Sequence, residues 1–191
     1  VAGAPPPALR CGELPSSCVR LAASAFVSSG DGTAAHPWQG RRGGAGVLEA
    51  ISSLRPGTAP CAVIVCARGH YALSAPLDLP QGVSVVGAGM NSTLFHKVGD
   101  SRLGSMQARS SVRNASFLAS GGDGFQVDGP DCAACGVSLS NVFLNGFRLA
   151  NEATFFSLVD SSLSDVYYGL WAEATCGYAG HRIQRNTVEL T

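Results

Sequence analysis

The sequence predicts an all-β chain that winds as a solenoid. Three observations point there. First, the apolar segments are short and rich in β-branched residues: Ala62-Val63-Ile64-Val65, Leu77-Asp78-Leu79 and Val83-Ser84-Val85-Val86. Second, Gly or Pro stands at every corner between them, in Gly69-His70-Tyr71, Pro80-Gln81-Gly82 and Gly87-Ala88-Gly89. Strands this short and evenly punctuated argue for winding rather than long hairpins. Third, a loose internal repeat follows. Val112-Arg113-Asn114-Ala115-Ser116-Phe117, Leu139-Ser140-Asn141-Val142-Phe143-Leu144 and Leu158-Val159-Asp160-Ser161-Ser162-Leu163 share an apolar residue, a spacer, Asn or Asp, two spacers and an apolar residue. Their starts lie 27 and 19 residues apart, as coils of variable length require. Asn and Asp suit a sharp corner because they tolerate the left-handed backbone and can bond to nearby main chain.

The stretch Cys61 to Phe95 resembles the opening coil of the right-handed parallel β-helix, the pectin-lyase-like family. The shared phrase runs apolar strand, Gly-x-Tyr, apolar pair, Pro-x-Gly-Val, strand, Gly-x-Gly. Gly30-Asp31-Gly32-Thr33 followed by Pro37-Trp38 is similar to the family's opening turn, after which a capping helix is expected. The resemblance covers roughly residues 26 to 191 and implies a short right-handed parallel β-helix. It implies no particular activity, because one fold hosts many functions.

The elements follow in order. Residues 1 to about 20 read as an arm, with Pro5-Pro6-Pro7 stiff and extended. The β-helix domain is expected over 21–191, with Leu21 to Val27 as its first strand. A capping helix is expected at about 45–54, where Val47, Leu48, Ile51 and Leu54 share one helical face and Arg55-Pro56-Gly57 ends it. Such a helix covers core that the end of a solenoid otherwise exposes. Coils then begin at Cys61 and Val83. Asp100 to Ser111 is polar and reads as a loop leaving the stack. A third coil starts at Val112 and a fifth at Arg182. The C-terminal edge is expected to be covered by another chain or by further sequence.

Composition narrows the function classes. Of 191 residues, 46% are hydrophobic and only 14% charged, and the net charge is zero. No general pull toward nucleic acid or an anionic membrane follows. No apolar run approaches the roughly 20 residues of a transmembrane helix. The start, Val1-Ala2-Gly3-Ala4-Pro5-Pro6-Pro7, shows no signal peptide and no initiator Met, so a processed mature form or an excised fragment is expected. Seven cysteines, at 11, 18, 61, 66, 132, 135 and 176, suggest an oxidising setting, secreted or in an organelle lumen. All of Cys11, Cys18, Cys61, Cys66, Cys132, Cys135 and Cys176 are disulfide candidates, and their connectivity stays open. Cys66 also fits a small core residue. Asn91-Ser92-Thr93 and Asn114-Ala115-Ser116 make Asn91 and Asn114 glycosylation candidates.

The catalytic motifs of related hydrolases are absent. Arg182-Ile183-Gln184 departs from their Arg-Ile-Lys, and neither Gly69-His70-Tyr71 nor Gly180-His181-Arg182 completes Gly-His-Gly. No Asp-Asp pair supplies the two carboxylates that glycoside hydrolysis needs. Asp123, Asp128 and Asp131 lie within nine residues and are weak Ca²⁺ candidates, against the plainer reading of a turn-rich loop. Cys132-Ala133-Ala134-Cys135 has zinc and redox spacing but no partner pair. Tyr167, Tyr168, Trp171 and Tyr178 are interface or sugar-stacking candidates, although alternation favours core for many of them. No cofactor is called for.

The favoured function at this level is a non-catalytic structural or interaction β-helix subunit of a larger extracytosolic assembly, with other protein subunits as partners. One alternative is binding or cleavage of an acidic polysaccharide on an outward sheet face, with Asp123, Asp128, Asp165, Arg148 and Arg182 as candidates. Another is a piece of a longer adhesin or tail-spike-like protein.

Overall fold

The computed structural model describes residues 11, 14, 16–40, 46–54, 61–97, 99, 101–119, 121–150, 152–173 and 180–190. Every strand pairing in the main sheet is parallel, and partners lie one coil apart in sequence. The chain therefore winds, and each turn lays one strand on each of three faces.

Face 1 holds β1 (Val19–Ala22), β4 (Ala62–Val65), β7 (Val83–Val86), the start of β10 (Ser111–Leu118), the start of β12 (Ala133–Leu149), β13 (Ser157–Val159) and β15 (Arg182–Gln184). Face 2 holds β5 (Gly69–Leu73), β8 (Thr93–Lys97), the second half of β10, the middle of β12, the start of β14 (Ser162–Ala172) and β16 (Thr187–Leu190). Face 3 holds β6 (Leu77–Leu79), β9 (Gly104–Met106), β11 (Phe125–Val127) and the last parts of β12 and β14.

Corners make this winding possible. Before face 1, Gly82, Arg109, Asp131, Phe155 and Gly180 all have positive φ (74°, 58°, 58°, 54° and 78°). Between faces 1 and 2, Asn114, Gly136, Asp160 and Arg185 do so as well (50°, 60°, 54° and 51°). One left-handed residue redirects the strand without a long loop. Asn141 also has positive φ (56°), but it stacks on Asp165 (51°) at the corner after face 2. The sequence repeat thus identifies three left-handed corners but aligns Asn141 one corner too early. The true register sets Val112 beside Ala134 and Leu158.

Three further expectations need correction. The segment 100–111 does not leave the stack, because Gly104–Met106 forms β9 and completes face 3 of the coil begun at Val83. Five turns run from Ala62, so Arg182 opens a sixth rather than a fifth. At the N-terminal end, the strand expected over Leu21–Val27 splits into β1, a 3₁₀ turn at Ala23–Phe26 and β2 (Val27–Ser29), which pairs antiparallel with β3 (Gln39–Gly40). α1 (Val47–Ser53) buries Val47 and Ala50 against this first coil. The Pro-rich stretch, the helix's expected stop at 55–57, Cys176 and Tyr178 lie outside the described residues.

The core is one aromatic ladder with aliphatic filling. Tyr71, Phe95 and Phe117 stack up face 2 with centroids 5.1 and 5.0 Å apart. The ladder crosses to face 3 through Phe125, 5.1 Å from Phe117 and edge-on to it, then continues to Phe147 and Phe156. Offset and edge-on pairs suit the ring quadrupoles, and all six rings are buried.

Candidate functional site

Face 3 presents a row of side chains to the outside. Three of its strands contribute a short alternation whose flanks point inward: Leu77 and Leu79, Phe125 and Val127, Phe147 and Leu149 are all buried, whereas in the last strand Leu170 is half-buried and Ala172 exposed. The central residue of each then points out, although Ser105 is itself buried, with Asp78 and Trp171 exposed and Gln126 and Arg148 half-buried. Register places Asp78, Ser105, Gln126, Arg148 and Trp171 level with one another. At ~4.8 Å per strand the row is about 19 Å long.

Its groups are held by neighbours. Ser105 Oγ donates to Asp78 Oδ1 at 2.7 Å, and Arg102 Nη2 reaches the same oxygen at 3.5 Å. Gln126 Nε2 donates to Asp128 Oδ1 at 2.6 Å, and Gln107 Nε2 to Asp128 Oδ2 at 3.4 Å. Arg148 pairs with Glu173 through Nε and Nη2, at 2.8 and 2.6 Å. At the last strand Trp171, 45% exposed, lies 5.1 Å from Tyr168, which meets Tyr167 edge-on at 4.7 Å. The face thus offers acceptors, donors and an exposed aromatic platform in one line.

A glycine column fixes this geometry. Gly124, Gly146 and Gly169 each stand just before a face 3 strand. A Cβ on Gly124 would lie 2.0 Å from the carbonyl oxygen of Gly146, and one on Gly146 would lie 2.7 Å from that of Gly169. Successive coils approach so closely here that no side chain fits.

The candidates named from sequence are scattered. Asp123 opens face 3 and accepts from Asn145 N and Nδ2 at 3.2 and 2.9 Å. Asp128 closes the face, and Asp131 sits at the next corner. Among the described residues no three His, Cys, Asp or Glu side chains gather as metal ligands, so the Ca²⁺ grouping is not assembled. Asp165 occupies the corner after face 2, and Arg182 lies on face 1, where its Nε donates to Gln184. Of the polysaccharide candidates, Arg148 lies on face 3, with Asp123 and Asp128 at its two edges, each held by a different partner. Tyr167, Tyr168 and Trp171 are exposed, against the alternation argument that favoured core, while Phe156 upstream is buried. Asp78, Ser105 and Gln126 went unnamed. The repeated Gly-apolar-x-apolar phrase at 124, 146 and 169 marks Gln126, Arg148 and Trp171, while Asp78 and Ser105 stand outside it.

The cysteines pair across the fold. Cys11 bonds Cys135 and Cys18 bonds Cys61, while Cys66 and Cys132 are free and buried. Neither bond joins the cysteines nearest in sequence, Cys11 with Cys18 or Cys132 with Cys135, so the connectivity that spacing left open is set by the fold. Cys135 points outward from face 1 and Cys132 precedes the strand, on the core side. Burial pushes the Cys66 thiol up to about 12 and raises that of Cys132 as well. A thiol so desolvated is no nucleophile at neutral pH.

No family model matches the sequence, and no curated protein matches it. Solved structures do. A protein of Geobacillus virus E2, ORF18, is similar with a TM-score of 0.50 and 10% identity, over 88% of this chain and 41% of that one. This protein is a right-handed parallel β-helix of the pectin-lyase-like fold. The catalytic unit of a GH87 α-1,3-glucanase from Streptomyces thermodiastaticus gives a TM-score of 0.48 and 16% identity, over 93% of this chain and 37% of that one. The A-module of the Azotobacter vinelandii mannuronan C-5 epimerase AlgE4 gives 0.46 and 14%, over 88% and 69%. The chain spans about two-fifths of the length of the first two. At such identities the likeness carries the fold and nothing of the activity. No helix among the described residues is long and apolar enough to cross a membrane.

Proposed function

We propose that this protein binds a linear polysaccharide along face 3, without cleaving it. The observation that supports this reading is the level outward row Asp78, Gln126, Arg148 and Trp171, which has the buried Ser105 bracing Asp78 and ends in an exposed Tyr168–Trp171 pair. Side-chain carboxylates, amides and hydroxyls match sugar hydroxyls, which both donate and accept. An exposed ring presents its electron-rich face to the C–H surface of a sugar. Three carboxylates (Asp78, Asp128, Glu173) and two guanidinium groups (Arg102, Arg148) border the row. That balance favours a neutral chain over the acidic one that the sequence reading held as an alternative. Every one of these carboxylates is already bonded to a neighbour, so the row reads as a binding surface rather than an acid–base pair.

Affinity electrophoresis against neutral and acidic polysaccharides tests the proposal. Retardation by a neutral glucan that is lost in Trp171→Ala is the expected result. Retardation by acidic chains alone returns the reading to the acidic class. No retardation by any chain overturns it.

The C-terminal end supports a second reading, an assembly subunit. Ile183 and Val188 lie level with the buried Leu158 and Leu163, yet they are 46% and 47% exposed. Core positions left open in this way suit cover by further polypeptide, whether of this chain or of a partner. The native particle size, measured after gentle extraction, tests this: a particle several times the mass of the denatured polypeptide supports it, and one equal to that mass overturns it.

A further inference from the structure

We infer that Asn91 and Asn114 are N-glycosylated, as a pair of glycans on one edge of the solenoid. Both belong to Asn-x-Ser/Thr triplets, and both are exposed. They are neighbours in space. Asn91 lies in the turn between faces 1 and 2 of the coil begun at Val83, and Asn114 stands at the same corner one coil later. Gly89 N donates to Asn114 O at 2.9 Å, and Ser116 Oγ donates to Met90 O, so the two turns are bonded together.

The other asparagines show why these two differ. Asn141 Nδ2 donates to Ala119 O, Asn145 Nδ2 to Asp123 Oδ1 and Asn186 Nδ2 to Leu158 O, each crossing to the neighbouring coil. None of those three starts a sequon. They are corner fasteners whose amide nitrogen is committed. Asn91 and Asn114 make no side-chain hydrogen bond to any described residue. Among the described asparagines the nitrogen that would carry a glycan is thus open only where the sequon stands. Two disulfides fit the oxidising compartment in which N-glycans are added.

The turn also dictates when Asn91 is modified. Thr93 Oγ1 is sealed in the folded chain, accepting from Ala88 N at 2.9 Å and donating to Ala67 O at 3.0 Å. Transfer to Asn91 therefore precedes closure of this turn. In a three-faced coil the corner between faces 1 and 2 lies opposite face 3. The glycans point away from the row described above and leave it uncovered.

The test is peptide mapping of the protein isolated from its source, with and without enzymatic release of N-glycans. Release converts a glycosylated asparagine to aspartate. Conversion at both Asn91 and Asn114 is expected, with an intact mass that falls accordingly. Asn91→Gln then removes one glycan. Ser116→Ala removes the other while keeping the left-handed Asn114 in place, so loss of the glycan is not confused with loss of the corner. Unmodified asparagine at both sites overturns the inference, and modification at only one overturns the pair.

Discussion

Asp160 and Arg185 stand on successive coils at the same corner, both left-handed, and their side chains form a two-point ion pair. The Arg185 guanidinium holds the Asp160 carboxyl below its ordinary range, first by hydrogen bonding and then by charge. A depressed folded-state pKa stabilises the protein above the unfolded value near 3.8, and the contribution is lost as pH falls through the folded value. Asp160→Asn keeps a residue that tolerates positive φ. Its melting temperature is expected slightly below wild type at neutral pH, converging with wild type well below pH 4. An equal difference at both pH values would refute the ion pair as the cause. The effect is small because both groups are solvent-exposed.

Gly124→Ala is expected to be more damaging than Gly146→Ala. Each introduces a Cβ against a carbonyl of the next coil, at 2.0 Å in the first case and 2.7 Å in the second. Backbone cannot swing aside as a flexible side chain does, so the coils must separate. Overpacking of this kind costs about 1–3 kcal/mol, occasionally more. Urea denaturation of the two variants measures the order, and equal stability would show that the coils slide freely past each other.

How much of this was legible in the sequence depends on the residue. The left-handed corners at Asn114, Asn141 and Asp160 were readable because Asn and Asp carry their own corner chemistry. Their register was not, since two different corners use the same chemistry and only strand pairing tells them apart. β9 was hidden because Gly104-Ser105-Met106 has no β-branched residue and sits in a polar stretch. The outward aspect of Trp171 was hidden for a related reason. Alternation says that every second residue is buried but not which set, and β12 carries an extra residue between Val142 and Asn145 relative to β14. The cysteine pairing depends on contacts 124 and 43 residues apart, which no local spacing encodes.

Those two disulfides predict unequal losses. Cys11–Cys135 closes a far longer loop than Cys18–Cys61, and restricting the unfolded chain stabilises more as the loop grows. In the chain-entropy account the two contribute about 4–5 kcal/mol each, the longer one several tenths more. Serine pairs at each site, compared by denaturant midpoint, check the order. A larger loss at Cys18–Cys61 would mean that native contacts near β1, rather than loop entropy, dominate.

The free thiols should be silent until the chain unfolds. Cys66 is buried in the core beside Tyr71, whose hydroxyl donates to Ala67 O at 3.1 Å, and burial raises both acidities' thresholds. Cys132 is enclosed by carbonyl oxygens of Gln107 and Gly129 at 3.1 and 3.3 Å. At pH 8 a thiol with a pKa of about 12 is almost wholly protonated, with roughly one molecule in ten thousand as thiolate. Alkylation of the native protein, read out by peptide mapping, is expected to leave both residues unlabelled for hours, and urea is expected to label both at once. Simultaneous appearance follows because the two sit in one continuous core and lose their cover in the same cooperative event. Early labelling of Cys132 alone would instead reveal that the corner at Asp131 opens independently of the aromatic ladder.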